Sequence, residues 1–169
     1  MSQKVNVVID IAIEAEDWAS LESPSQLAQT AILAAVEESR IVLANNAEIS
    51  VVLCDDAFIR ELNRKWRGQD KPTNVLSFPA AGDLSSAPLL GDIVVAFETA
   101  AREAFEAGKP LRDHVAHLLV HGFLHLIGHD HGEAGDAEVM EALERASLAR
   151  LGIADPYGAA LKEVAGAHE

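Results

Sequence analysis

Leu111-Arg112-Asp113-His114-Val115-Ala116-His117-Leu118-Leu119-Val120-His121-Gly122-Phe123-Leu124-His125-Leu126-Ile127-Gly128-His129-Asp130-His131 is the stretch that organises this chain. From Leu111 to Ile127 it reads as a helix with apolar residues on nearly every side, the pattern of an element buried in a domain. Four histidines interrupt it. Residues three or four apart share a helix face, and at about 100° per residue His114, His117, His121 and His125 fall within about 80° of one another. Buried polar groups without partners are costly, so a row of imidazoles on such a helix calls for a shared partner. A metal ion is the one that serves several at once.

The end of the helix selects the ligands. Gly128 is expected to close it in a left-handed conformation, which swings His131 back beside the last turn. His121, His125 and His131 then stand at i, i+4 and i+10 with a glycine at i+7, the ligand spacing of the long zincin motif. Three neutral nitrogens leave a tetrahedral ion one open position, the catalytic arrangement. Zinc suits imidazole, although nickel and copper also bind it. Asp130 is placed to orient a ligand imidazole, and His117 either lines the cleft or hydrogen-bonds in the core. In the zincin proteases the residue after the first histidine is a glutamate that acts as general base. Here it is Gly122, which counts against peptide hydrolysis and reads as room for a bulky substrate beside the metal.

Outward from this helix, β-branched runs over residues 4–13 and 47–54 read as strands, as do Thr73–Phe78 and Asp92–Phe97. Further helices are expected from Pro24, behind a Ser23 cap, to about residue 44, and from the Asp55-Asp56 cap to Gly68. Two more run from Glu98 to Gly108 and from Ala137 to Leu151, the last with Val139, Leu143, Ala146 and Leu148 inward. The fold class is α+β, a small mixed four-stranded sheet with about five helices and the metal-ligand helix packed centrally. With 169 residues and 49% hydrophobic content, the chain can bury a core without help from a metal. It reads as a single metallohydrolase domain over residues 1–169, its tail after about 157 frayed. Cys54 is the one cysteine and is expected to be a buried thiol at a strand end. The N-terminus lacks the features of a secretory signal, and no window reaches the roughly 20 apolar residues of a membrane span. A cytoplasmic protein with no membrane partner is expected.

The net charge is -14, which repels polyanions at long range. Against it, Arg60, Arg64, Lys65, Arg67 and Lys71 crowd into twelve residues with Glu61 and Asp70. Arg67, beside Gly68 and the stiff Lys71-Pro72-Thr73 turn, is the candidate for a fixed guanidinium that stabilises charge on a phosphoryl group, with Lys71 as a substrate-binding cation. Asp130, Glu133, Asp136, Glu138, Glu141 and Glu144 form an acidic run, read as a solvated helix face or a docking surface.

The segment His121–His131 resembles the signature of the YbeY family of bacterial endoribonucleases and rRNA maturation factors. Trp66–Pro79 resembles the family's second block and Leu90–Ile93 a third, so the resemblance covers about residues 45–157. It implies a zinc-dependent, single-strand-specific endoribonuclease of 16S rRNA 3′-end maturation and ribosome quality control. Its partners would be single-stranded or precursor rRNA and the small ribosomal subunit with its proteins. His121, His125 and His131 become the zinc ligands and Arg67 the functional arginine. Two other readings stand beside it. One is a non-enzymatic ribosome assembly factor braced by zinc. The other is a zinc peptidase-like hydrolase with its base elsewhere, at Glu133 or Asp130.

Overall fold

The computed structural model describes residues 6–129 and 134–157. Four strands, β1 (Val7–Ile13), β2 (Ala47–Cys54), β3 (Val75–Pro79) and β4 (Leu89–Ala96), form one sheet in the order β1-β2-β4-β3. β1, β2 and β4 run parallel, and β3 pairs antiparallel with β4 at the edge. The helices are α1 (Pro24–Ser39), α2 (Asp56–Arg67), α3 (Phe97–Ala107), α4 (Leu111–Leu126) and α5 (Ala134–Arg150), with a short 3-10 turn over Glu16–Ser20. This is the mixed α+β arrangement expected from the sequence.

Strand side chains alternate between faces; the main core covers one face, and α2 covers part of the other, where Val8 of β1 stays 47% exposed. Ile49, Val51 and Leu53 of β2 and Ile93 and Val95 of β4 join the main core with α1, α4 and α5. Cys54, Leu76, Val94 and Ala96 point the other way, onto Ile59 of α2. α4 is the hub: it packs against α1, α3, α5, β3 and β4, with Leu119, Phe123 and Leu124 fully buried. No described helix is long and apolar enough to cross a membrane.

Local polar contacts fix α2, and with it the basic segment. The Asp55 carboxylate accepts from the Phe58 amide and caps α2. Ala96 cannot cap α3, so Asp56 does it from the neighbouring helix, accepting from the Thr99 amide and hydroxyl. Glu98 reciprocates by accepting from the Asp56 amide. At the other end Gly68 adopts φ +70 and terminates α2. The buried Asn63 side chain then donates to the Lys71 carbonyl and holds the following loop.

Several local expectations shift. α1 stops at Ser39, not near 44, because Arg40 turns into the left-handed region and Ile41, Leu43 and Ala44 pack on the core as irregular chain. Ser23 makes no side-chain cap; it too is left-handed, and Pro24 opens the helix. In α5 the inward positions are Met140, Glu144, Ser147 and Leu148, whereas Val139 is 53% exposed. β4 begins at Leu89, earlier than expected, and carries Gly91 at φ +140. A Cβ there would lie 2.3 Å from the Phe78 carbonyl oxygen, so only glycine lets the two strands pair at this point.

Candidate active site

One face of α4 opens into a cleft at the outer side of edge strand β3. His121 and His125, one helical turn apart, present rings whose centroids are 4.6 Å apart. Arg67, from the C-terminus of α2, lines the same cleft, and Asn74, Val75, Leu76, Ser77 and Pro79 complete it. β3 is tied to α4 by a hydrogen bond from the Ser77 hydroxyl to the Gly122 carbonyl, 2.8 Å. Gly122 is what permits that approach. A Cβ on it would stand 2.8 Å from Ile93 Cγ2 and 3.1 Å from Ser77 Oγ. The missing side chain therefore serves close helix-on-sheet packing and not, as the sequence suggested, access for substrate.

Behind the histidines lies a carboxylate. Glu144 of α5 is only 1% exposed, and its Oε2 lies 2.6 Å from His121 Nδ1. His117 Nε2 reaches its other oxygen at 3.3 Å, and the Tyr157 hydroxyl donates to that same oxygen. Burial alone would raise the Glu144 pKa. The hydrogen bonds from His117, His121 and Tyr157 outweigh it and hold the carboxyl far below the usual range. Burial and the Glu144 charge push the Tyr157 phenol up, so it remains a neutral donor. Burial pushes His117 down, against the pull of Glu144. Three histidines of the row thus have a carboxylate partner. His114 Nε2 meets Glu103 at 2.8 Å, Glu103 also accepts from Asn74, and His117 and His121 share Glu144.

This geometry suits a metal at His121 and His125. With Nδ1 of His121 engaged by an ionised carboxylate, its proton sits there and Nε2 carries the lone pair a cation needs. That is the usual carboxylate–imidazole support of a metal ligand. Asp130 and His131 lie outside the described residues, and among the described residues no third donor completes a metal-binding group.

The structure brings Arg67, His121 and His125 together. His117 does not line this cleft; it borders a separate hollow with Lys109 and Asp113. The Lys71 side chain is exposed and not part of the cleft lining. Glu144, expected on an acidic helix face, is instead the buried partner of two histidines. The available signal was its spacing from Met140, Ser147 and Leu148, which marks the inward stripe of α5. For Tyr157 and Glu103 no local signal existed.

The family model described as Endoribonuclease YbeY matches residues 10–152. A protein named Endoribonuclease YbeY from Methylocella silvestris is 66% identical over 157 residues, covering 93% of this chain and 89% of its own length. Its namesake in Beijerinckia indica is 55% identical, covering 89% and 77%. That of Rhizobium meliloti is 51% identical, covering 89% and 94%. Among solved structures, the solution structure of a Thermotoga maritima protein superposes with a TM-score of 0.55 at 24% identity, covering 86% of this chain and 92% of the other, a likeness of fold.

Proposed function

The chain belongs to the Endoribonuclease YbeY family, and from that premise we propose that it is a zinc-dependent endoribonuclease that cuts single-stranded RNA in the cleft of Arg67, His121 and His125. The observation that carries the proposal is the convergence of two imidazoles, His121 backed by Glu144, and one guanidinium on a single depression. His131 would be the third ligand. A bound zinc ion would supply Lewis acidity at the scissile phosphate.

The protein's own residues do the rest. Arg67 binds non-bridging phosphate oxygens through its planar fork and offsets the negative charge that grows as the phosphodiester is attacked. Lys71, on the loop beyond, adds attraction for the strand. Glu144 keeps the His121 proton on Nδ1, so the imidazole face toward the cleft does not drift between tautomers. Water and the ribose 2′-hydroxyl are both small enough to be the nucleophile in this cleft. The products tell them apart, since 2′-hydroxyl attack leaves a cyclic phosphate. The biological substrate is proposed to be precursor 16S rRNA near its 3′ end, acted on in the cytoplasm at the small ribosomal subunit. The net charge of -14 favours docking to that particle's basic proteins.

The test compares wild type, Arg67→Ala and His125→Ala for metal content and cleavage of single-stranded RNA. Arg67→Ala is expected to keep its metal and lose about 10²–10³ in kcat, the cost of removing one preorganised charge donor. His125→Ala is expected to lose both metal and activity. Full activity in both variants would remove the proposal. Chelation is expected to abolish cleavage while most of the fold survives. Global unfolding on chelation would favour a metal that only braces an assembly factor.

A further inference from the structure

A second depression adjoins the cleft on the opposite face of the sheet. It is a groove of about 590 Å³ whose walls include Val52, Phe58, Leu62, Trp66, Phe78 and Val94. It meets the Arg67 cleft at Pro79, which lines both. We propose that this groove is a nucleobase-stacking subsite that seats an unpaired base of the RNA strand held at Arg67, with Trp66 as the platform. The inference rests on the ribonuclease reading and deepens it.

Packing explains Phe78, which lies against the small core under α2, but not Phe58 or Trp66. Ile59 is the residue that anchors α2 to the sheet, with Leu62 beside it. Trp66 is 63% exposed and Phe58 42%. Trp66 meets Phe78 edge-on at 6.4 Å, which steadies the indole while leaving most of it in solvent. Large exposed apolar residues clustered in a groove mark a binding surface, and the charge around this one says for what. Lys65 Nζ lies 5.3 Å from the Trp66 ring centroid and Arg67, next in sequence, lines the adjoining cleft, whereas Arg60 and Arg64 on the same helix are paired with Asp70 and Glu61 and Asp92 lines the groove. In a chain of net charge -14, Lys65 and Arg67 on either side of an exposed indole fit a ligand that is flat and apolar in part and anionic along its length. A single nucleic-acid strand is such a ligand. Aromatic rings bind its bases by stacking, largely without regard to sequence, while cations track the phosphates. A base inside a duplex has both faces covered, so the groove would also reject double strands at a point the cleft itself does not control.

Fluorescence isolates the platform. Of the two tryptophans, Trp18 is fully buried with its indole N–H donating to the Cys54 carbonyl, so quenching by an added strand reports Trp66. Single-stranded RNA is expected to quench it. An abasic strand of equal length and a duplex are expected not to. Trp66→Leu keeps an apolar side chain but has no ring. It is expected to raise Kd and KM for single-stranded RNA about tenfold, the usual loss for one stacked base, with the effect confined to KM and the single-strand preference narrowed. Trp66→Phe should recover most of it. Equal quenching by the abasic strand, or wild-type constants for Trp66→Leu, would overturn the subsite while leaving the ribonuclease reading intact. Wild-type protein that cleaves no RNA would bring down both. A self-association broken by Trp66→Leu at unchanged RNA affinity would assign the groove to a second copy of the chain and overturn the inference.

Discussion

Replacing Glu144 with glutamine probes the support beneath the proposed metal ligands without emptying the space they occupy. The carboxylate has one oxygen 2.6 Å from His121 Nδ1 and turns the other to His117 and Tyr157. Every one of these partners offers a proton, and an ionised carboxylate can accept them all. A glutamine has one acceptor oxygen and one NH₂. If the oxygen stays with Tyr157 and His117, the NH₂ faces His121 Nδ1, and relief comes when the His121 proton moves to Nε2. The nitrogen available to a cation would then carry a proton. Loss of such a supporting group costs roughly 10–100-fold in metal affinity, about 1.4–2.7 kcal/mol. Competition titration of zinc against a chelating dye, wild type beside Glu144→Gln, measures it directly. Melting of the metal-free proteins supplies the control. Glu144→Ala strands the same buried donors with no acceptor and is expected to cost about 3–5 kcal/mol of stability, the range for removing one member of a buried polar pair. Glutamine should cost far less than that. A Glu144→Gln protein that melts near wild type and binds zinc within twofold of it would refute the role given to this carboxylate.

Two further outcomes follow from the packing. Gly122→Ala gains about 1 kcal/mol of helix propensity but drives a methyl to 2.8 Å from Ile93 Cγ2. Overpacking of about 1–3 kcal/mol should prevail, and the melting temperature should fall; a rise would mean that α4 can lift off the sheet at no cost. Cys54 is buried, and burial, followed by the charges of Asp55, Asp56 and Glu98, pushes its thiol up to about 12. Because the folded value lies above the unfolded one, stability linked to this group is complete below the ordinary value near 9 and is lost as pH climbs through about 12. The thiolate is the reactive form, so Cys54 should resist alkylation in native protein at pH 8 and react promptly once denatured; rapid native labelling would contradict its placement.

Periodicity made much of this molecule legible. An apolar helix with histidines at positions 114, 117, 121 and 125 has to be buried with its polar stripe on one side, whatever surrounds it. The run Ala47–Cys54 alternates faces because strand geometry leaves no other choice. Asp55 and Gly68 bracket α2 because a capping carboxylate and a left-handed glycine act within a few residues. Where neighbours outvoted local preference, the reading drifted. α1 ended early because Ile41 and Leu43 gain more from the core than from further helix. Gly91 lets β4 begin at Leu89, through a backbone approach that no local pattern announces. On α5 the expectation held for Leu148, buried, and Leu143, packed on the core, but it put Val139 inward in place of Met140 and left Glu144 in solvent.

Spacing along the chain by itself determined that imidazoles share a helix face and that cations gather around Arg67, since both follow from the pitch of a helix and from local composition. Only the tertiary structure decided that Arg67 shares a cleft with His121 and His125, that Glu144 backs His121, and that Trp66 lines a groove beside them. Those pairings join α2, α4 and α5 across tens of residues. Their distances come from how helices seat on the two faces of a sheet, a property of the packed core and not of any one segment.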